Sequence, residues 1–192
     1  MAYKRTVDAS TEPVTLAEAK RHLREDLVNT DNDTDISAAI KAARHACEER
    51  LQRTLITTTW QLTLDAFPEA IYLPMARIIA VSALQYYDAD GALQTLSGAD
   101  YLVDTASEPG YIVPGYGLSW PATQDRINAV VVTYTAGYGA AASDVPAPIK
   151  QWIKLALGDL YEIRKRSSDK AELPHQFVDD LIAPYKIYGG AA

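Results

Sequence analysis

The sequence predicts an α+β fold: mainly an α-helical bundle, with an antiparallel β-domain inserted into it. Three observations predict it. Apolar residues recur at intervals of three and four between Leu16 and about Arg53, which is the period of a helix packed on one face. From Thr57 the pattern changes to strict alternation, and from Ile149 helical spacing returns. The glycines Gly137 and Gly139 and the polar run Asn29–Asp33 punctuate these blocks, where the chain needs turns. The expected architecture is two N-terminal helices, one long helix near 147–166 and a short C-terminal helix. Residues 1–56 read as a helical hairpin, 57–136 as the inserted β-domain and 137–192 as the last helix and a docking tail. The first and last of these are expected to share one helical core.

Residues 1–13 show no periodicity and read as a loose arm. Thr15-Leu16-Ala17-Glu18 is a capping box, in which the Thr oxygen accepts a backbone N–H and the Glu reaches back to the cap. A helix over Leu16 to about Leu27 follows, with Leu16, Ala19, Leu23 and Leu27 on one face. A second spans about Thr34 to Arg53, with Ile36, Ile40, Ala43, Cys47 and Leu51 as its stripe; Arg44 and Glu48, on other faces and four apart, support one another weakly.

Trp60, Leu62 and Leu64 alternate with polar residues, as in a strand with one wet face. Further short strands are expected at 71–73, 77–87, 92–96, 101–103 and 111–113, with Asp90-Gly91 as a hairpin turn. Ile127 to Thr135 is the strongest strand signal. Asp144, Pro146 and Pro148 then announce the long helix, whose apolar side is Ile149, Trp152, Ile153, Ala156, Leu157, Leu160 and Ile163. The expected folding core includes Leu16, Leu23, Ile40, Cys47, Trp152, Leu157 and Leu160. Pro174 to Tyr185 reads as one more short helix, with too few apolar residues to fold alone.

Composition narrows the function. The 192 residues carry a net charge of −7 and are 48% apolar. An acidic chain is a poor general nucleic-acid or anionic-membrane binder, since both need clustered cations. One cysteine excludes an internal disulfide and any multi-cysteine metal site. No apolar run reaches bilayer length. The chain reads as soluble and intracellular.

Candidate chemistry meets a plain alternative at each position. Asp31, Asp33 and Asp35 invite a calcium loop, but Ile36 and Ala42 stand where such a loop needs Gly and Glu. Gly137-x-Gly139 begins like a dinucleotide fingerprint, yet Ala142 replaces its third glycine and the helix starts too late to meet a pyrophosphate. His22, His45 and His175 lack metal-ligand spacing, and Cys47 has no base near it in sequence. Adjacent carboxylates (Glu48-Glu49, Asp179-Asp180) point apart on a helix. No catalytic, cofactor or metal residue is therefore assigned, and no enzyme activity. Arg164-Lys165-Arg166 reads as a helix C-terminus that favours positive charge, or as a contact for an acidic partner. Among 12 tyrosines, Tyr111, Tyr116, Tyr138, Tyr185 and Tyr188 fall on expected loops, with Trp120 beside them; amphipathic aromatics of this kind favour protein–protein contact.

Tyr134-Thr-Ala-Gly-Tyr-Gly139, Asp144-Val-Pro-Ala-Pro-Ile149 and Asp159-Leu-Tyr-Glu162 together resemble the head-tail connector, or adaptor, proteins of tailed phages, of the gp6-like and phiE125 gp8 type. Val14-Thr-Leu-Ala-Glu-Ala-Lys20 with His22-Leu23-Arg24, and Leu181-Ile-Ala-Pro-Tyr-Lys186, extend the likeness over roughly residues 13 to 188. The resemblance implies a helical bundle with a β insertion and a ring, twelve-fold in that family, beneath the portal of a phage, prophage or gene transfer agent particle. It implies a neck location, with host cytoplasm during assembly. The implied partners are the portal protein, further copies of the chain and a stopper or tail-side protein, with DNA passing through unbound. It also implies that the C-terminal segment contacts the portal; the individual contact residues are not carried over from the family, and the residues assigned to docking within that segment are Phe177, Leu181, Ile182, Tyr185 and Tyr188. The rival readings are another ring-forming stopper or tail-completion protein, and a small-molecule enzyme using the β-domain as its pocket.

Overall fold

The computed structural model describes residues 1–165 and 176–188, with side chains given outside 162–165 and 176–177. The chain forms two units that interleave along the sequence. The first comprises Met1–Ala9, Thr57–Tyr138 and Ile187–Ala192, the second Ser10–Ile56 and Gly139–Lys186.

The first unit is a pair of antiparallel sheets. Strands β1 (Ala2–Val7), β2 (Thr58–Leu64), β4 (Ile78–Tyr87), β5 (Leu93–Thr95) and β8 (Val130–Ala136) form one sheet in the order β1-β2-β8-β4-β5. Strands β3 (Ile71–Tyr72), β6 (Tyr101–Asp104) and β7 (Tyr111–Pro114) form a smaller sheet in the order β3-β7-β6. In β2 and β8 every second residue is buried, as the alternating sequence requires. Trp60, Leu62, Leu64, Val130, Val132 and Tyr134 thereby meet Ile71, Leu73 and Ile112 in one core. Tyr134 places its hydroxyl inside that core and satisfies it by donating to the Pro74 carbonyl at 2.8 Å. Asp88 shapes the β4–β5 turn: its carboxylate accepts from the backbone of Asp90 and Ala92 and from the Gln94 amide, and Gly91 adopts φ 82°. Those bonds, the Gln94 amide first, lower the Asp88 pKa.

The second unit holds the helices α1 (Leu16–Leu23), α2 (Asp33–Leu51), α3 (Ala147–Lys165) and α4 (Gln176–Asp180). The first three pack on one another. The Thr15/Glu18 capping box opens α1, and the Thr15 N–H donates to Glu18 Oε2 at 2.9 Å. Ile36, Ile40, Ala43, Cys47 and Leu51 are buried along α2, facing the row Ile149, Ile153, Leu157 and Tyr161 of α3.

Charged residues complete this interior. Arg44 and Glu48 are wholly buried, 3.2 Å apart at Nη1 and Oε2. Arg44 Nε also donates to Glu12 at 2.7 Å, and Glu48 Oε1 accepts the Leu55 N–H at 3.0 Å. Lys20, 3% exposed, pairs with Asp33 and donates to the Asn29 carbonyl at 2.7 Å, tying α1 to the turn before α2.

Several expectations need correction. The fold is α+β, but it is not mainly a helical bundle: the described residues form four α-helices and eight strands in two sheets. Two of those helices are only eight and five residues long, too short to build a bundle. The expected loose arm contains β1, an edge strand exposed on both faces and therefore without a period to read. Helix α1 stops at Leu23, where Arg24 turns left-handed at φ 57°, so Leu27 lies outside it and is exposed. Leu160 is 45% exposed while Tyr161 is buried in its place, because the buried row on α3 runs in steps of four. The Arg44–Glu48 pair belongs to the interior.

Candidate functional site

Of the residues assigned to docking, Phe177, Leu181, Ile182 and Tyr185 lie at the end of the second unit and Tyr188 in the first. Helix α4 is held by Asp179, whose Oδ1 accepts from Trp152 Nε1 at 3.2 Å and whose Oδ2 is ion-paired with Arg50. The Arg50 guanidinium also lies 5.9 Å from the centre of the Trp152 ring. These groups, with Ala156, Asp159 and Val178, line a cavity of about 200 Å³. Further along, Arg53 Nε donates to the Tyr185 carbonyl at 2.9 Å.

This seat sorts the five residues. Ile182 is 2% exposed and belongs to the packed interior. Leu181 and Tyr185 are half-buried, and Tyr188 is 75% exposed. Phe177 lies in α4, with its side chain outside the described residues. No local pattern marks Arg50, Trp152 and Asp179 as a cluster, since Asp179 stands 129 positions from Arg50.

The other candidates take structural places. Asp33 starts α2 and pairs with Lys20. Among the described residues no group of three or more His, Cys, Asp or Glu is placed to hold a metal. His22 is exposed and His45 half-buried, while His175 and Arg166 lie outside the described residues, as do the side chains of Arg164 and Lys165. Burial pushes the Cys47 thiol up to about 12, which keeps it protonated and a poor nucleophile. Gly139 lies under Asp144, whose Cβ is 2.8 Å from where a Cβ on Gly139 would stand. Asp144 Oδ2 accepts the Ala141 N–H at 2.9 Å, closing a 3₁₀ turn at Ala142–Asp144, and α3 begins only at Ala147. That glycine pair is a tight turn with its own internal acceptor.

The aromatics divide. Trp120 is stacked on Phe67 at 4.7 Å and packs against the core of the first unit. Tyr116 is fully exposed, and Tyr111 lies 5.7 Å from Tyr72 on the outward face of the small sheet. No described helix is long and apolar enough to cross a membrane.

What this geometry defines is a two-unit α+β protein with exposed tyrosines and a C-terminal helix seated on Arg50 and Trp152. No family model and no curated protein sequence matches the chain. It is similar to solved chains of gene transfer agent particles, each alignment covering 99% of both chains. A chain of the virion of the native particle is 25% identical with a TM-score of 0.80. A chain from the neck of the empty particle, computed with C6 symmetry, is 26% identical at 0.79. One from the neck of the native particle, computed with C12 symmetry, is 26% identical at 0.72. These likenesses support a structural component of a phage-like particle neck, present there in multiple copies.

Proposed function

We propose that the chain is a head-tail connector, or adaptor: a non-enzymatic protein that assembles as a ring under the portal of a phage or phage-like particle. The ring extends the DNA channel and receives a stopper or other tail-side protein. The observation that carries this reading is the likeness, over 99% of both chains, to neck chains of particles with cyclic symmetry. The net charge of −7 is compatible with a channel wall along which DNA slides, since like charges repel and few cations trap phosphates. Docking to the portal uses the C-terminal segment: Tyr188 is exposed, Leu181 and Tyr185 are half-buried, Phe177 lies in the same segment, and Ile182 is buried within the second unit.

Electron microscopy of the purified chain with its portal protein tests the proposal. A ring added to the portal is expected; a portal left bare refutes it. Tyr188→Asp should abolish that binding and leave the circular dichroism spectrum unchanged. A stopper or tail-completion protein is the second reading, favoured by the eight strands. It predicts binding to a preformed adaptor–portal complex and none to portal alone.

A further inference from the structure

The small sheet buries one face and leaves the other open. Ile71, Val103 and Ile112 pair across it and point into the core. The alternate positions, Tyr72, Leu102, Asp104, Tyr111 and Val113, form the outward face. An antiparallel sheet facing water is polar there by default. Here Tyr72 is 47% and Leu102 58% exposed, Tyr72 and Tyr111 stand ring to ring, and Val113 lies directly across from Leu102. The only charge within this set is the carboxylate of Asp104, which accepts from Ser107 Oγ at 2.6 Å.

The same unit presents a complement elsewhere. Ile127, 76% exposed, precedes β8 beside Arg126, whose guanidinium rests 3.9 Å from the centre of the Tyr87 ring. Asn128 behind them is pinned by its N–H to Asp65 at 2.8 Å, which gives the tip a fixed backbone. This tip lies before the start of β8, whereas β3 leads to Pro74, whose carbonyl meets Tyr134 toward the other end of that strand. Tip and patch are thus different surfaces of one unit.

We propose that the outward face of the small sheet receives the Arg126–Ile127 tip of a second copy of this chain, with Ile127 over the Tyr72/Tyr111/Leu102 surface and Arg126 toward Asp104. Ile127 is the most exposed large aliphatic of this unit, and with Arg126, whose other neighbour is Asp125, it offers an apolar group and a cation to an apolar patch that holds an anion. Because the two surfaces differ, the contact is head-to-tail, a kind that closes into a ring when its rotation divides the full circle and runs into an open filament when it does not. The proposal rests on the multi-copy neck reading, but its test does not.

Full-length Leu102→Cys and Ile127→Cys variants are mixed and oxidised, alone and with portal. The native Cys47 is buried and stays silent. Disulfide between the two variants should exceed, several-fold, the disulfide that either forms with itself. Equal yields of mixed and self-linked pairs overturn the proposal, including when electron microscopy shows a ring. A dominant mixed pair with no ring on the portal upholds this contact and sinks the adaptor reading instead. As a second measurement, Asp104→Arg should weaken the association seen by sedimentation, and adding Arg126→Asp should restore it. Failure of that restoration also counts against the contact.

Discussion

Replacing Arg44 with Met tests how the helical unit is held together. Arg44 and Glu48 are both fully buried, so the substitution leaves the Glu48 carboxylate without its guanidinium in a site closed to water. Breaking a buried pair from one side costs about 3–5 kcal/mol. For a chain of this size that is a fall in melting temperature of roughly 6–20 °C. Glu12, 29% exposed at its side chain, can turn to solvent when Arg44 goes and adds little. The second substitution, Glu48→Gln, removes the stranded charge but keeps a carbonyl oxygen for the Leu55 N–H. Arg44→Met with Glu48→Gln should therefore lie within about 2 kcal/mol of the parent, well above Arg44→Met alone. Urea denaturation of the parent, both single variants and the double variant gives the coupling directly. The reasoning fails if Arg44→Met costs under about 1 kcal/mol, the range of a surface pair, or if the double variant is no more stable than Arg44→Met.

Gly139→Ala should lose about 1–3 kcal/mol in the same denaturation assay, since a methyl there meets the Asp144 side chain and the closing turn must shift. Thr15→Ala should lose about 1 kcal/mol by removing one half of the capping box. Glu18 adds a pH dependence. The backbone hydrogen bond at Thr15, above all, lowers its pKa, so its stabilisation is complete above the ordinary carboxylate pKa and fades as pH falls through the lowered one. Glu18→Gln should flatten that part of the acid limb, and an unchanged stability–pH curve would contradict the assignment. Cys47 should resist iodoacetamide at pH 8 in the folded protein and react readily in denaturant, followed by mass spectrometry.

Much of the local structure could be read from the residues. The capping box at Thr15, the alternation around Trp60 and the apolar run at Val130 each carry their own cause within a few positions. The failures involve partners far away in sequence. Arg44 looks like a surface cation until Glu12 closes on it from 32 positions earlier, and Trp120 looks like a loop aromatic until Phe67 stacks beneath it. Strand β1 has no pattern because its neighbour β2, not a buried face, defines it. The short C-terminal helix was visible as a stretch of scattered apolar residues. Its seat on Arg50 and Trp152 was not, because a carboxylate's partner cannot be told from spacing of that length.

The chain passes from one unit to the other at 9/10, 56/57, 138/139 and 186/187. Neither unit is therefore a cassette that could be lifted out with two cuts. During synthesis Ala2–Val7 has no strand to lie against until Thr58–Leu64 appears, and that strand in turn awaits Val130–Ala136. The opening residues must stay unsatisfied while most of the polypeptide is made. A tag or fusion ahead of Ala2 thus burdens a segment whose neighbour is made much later, and threatens the sheet before it threatens the helices.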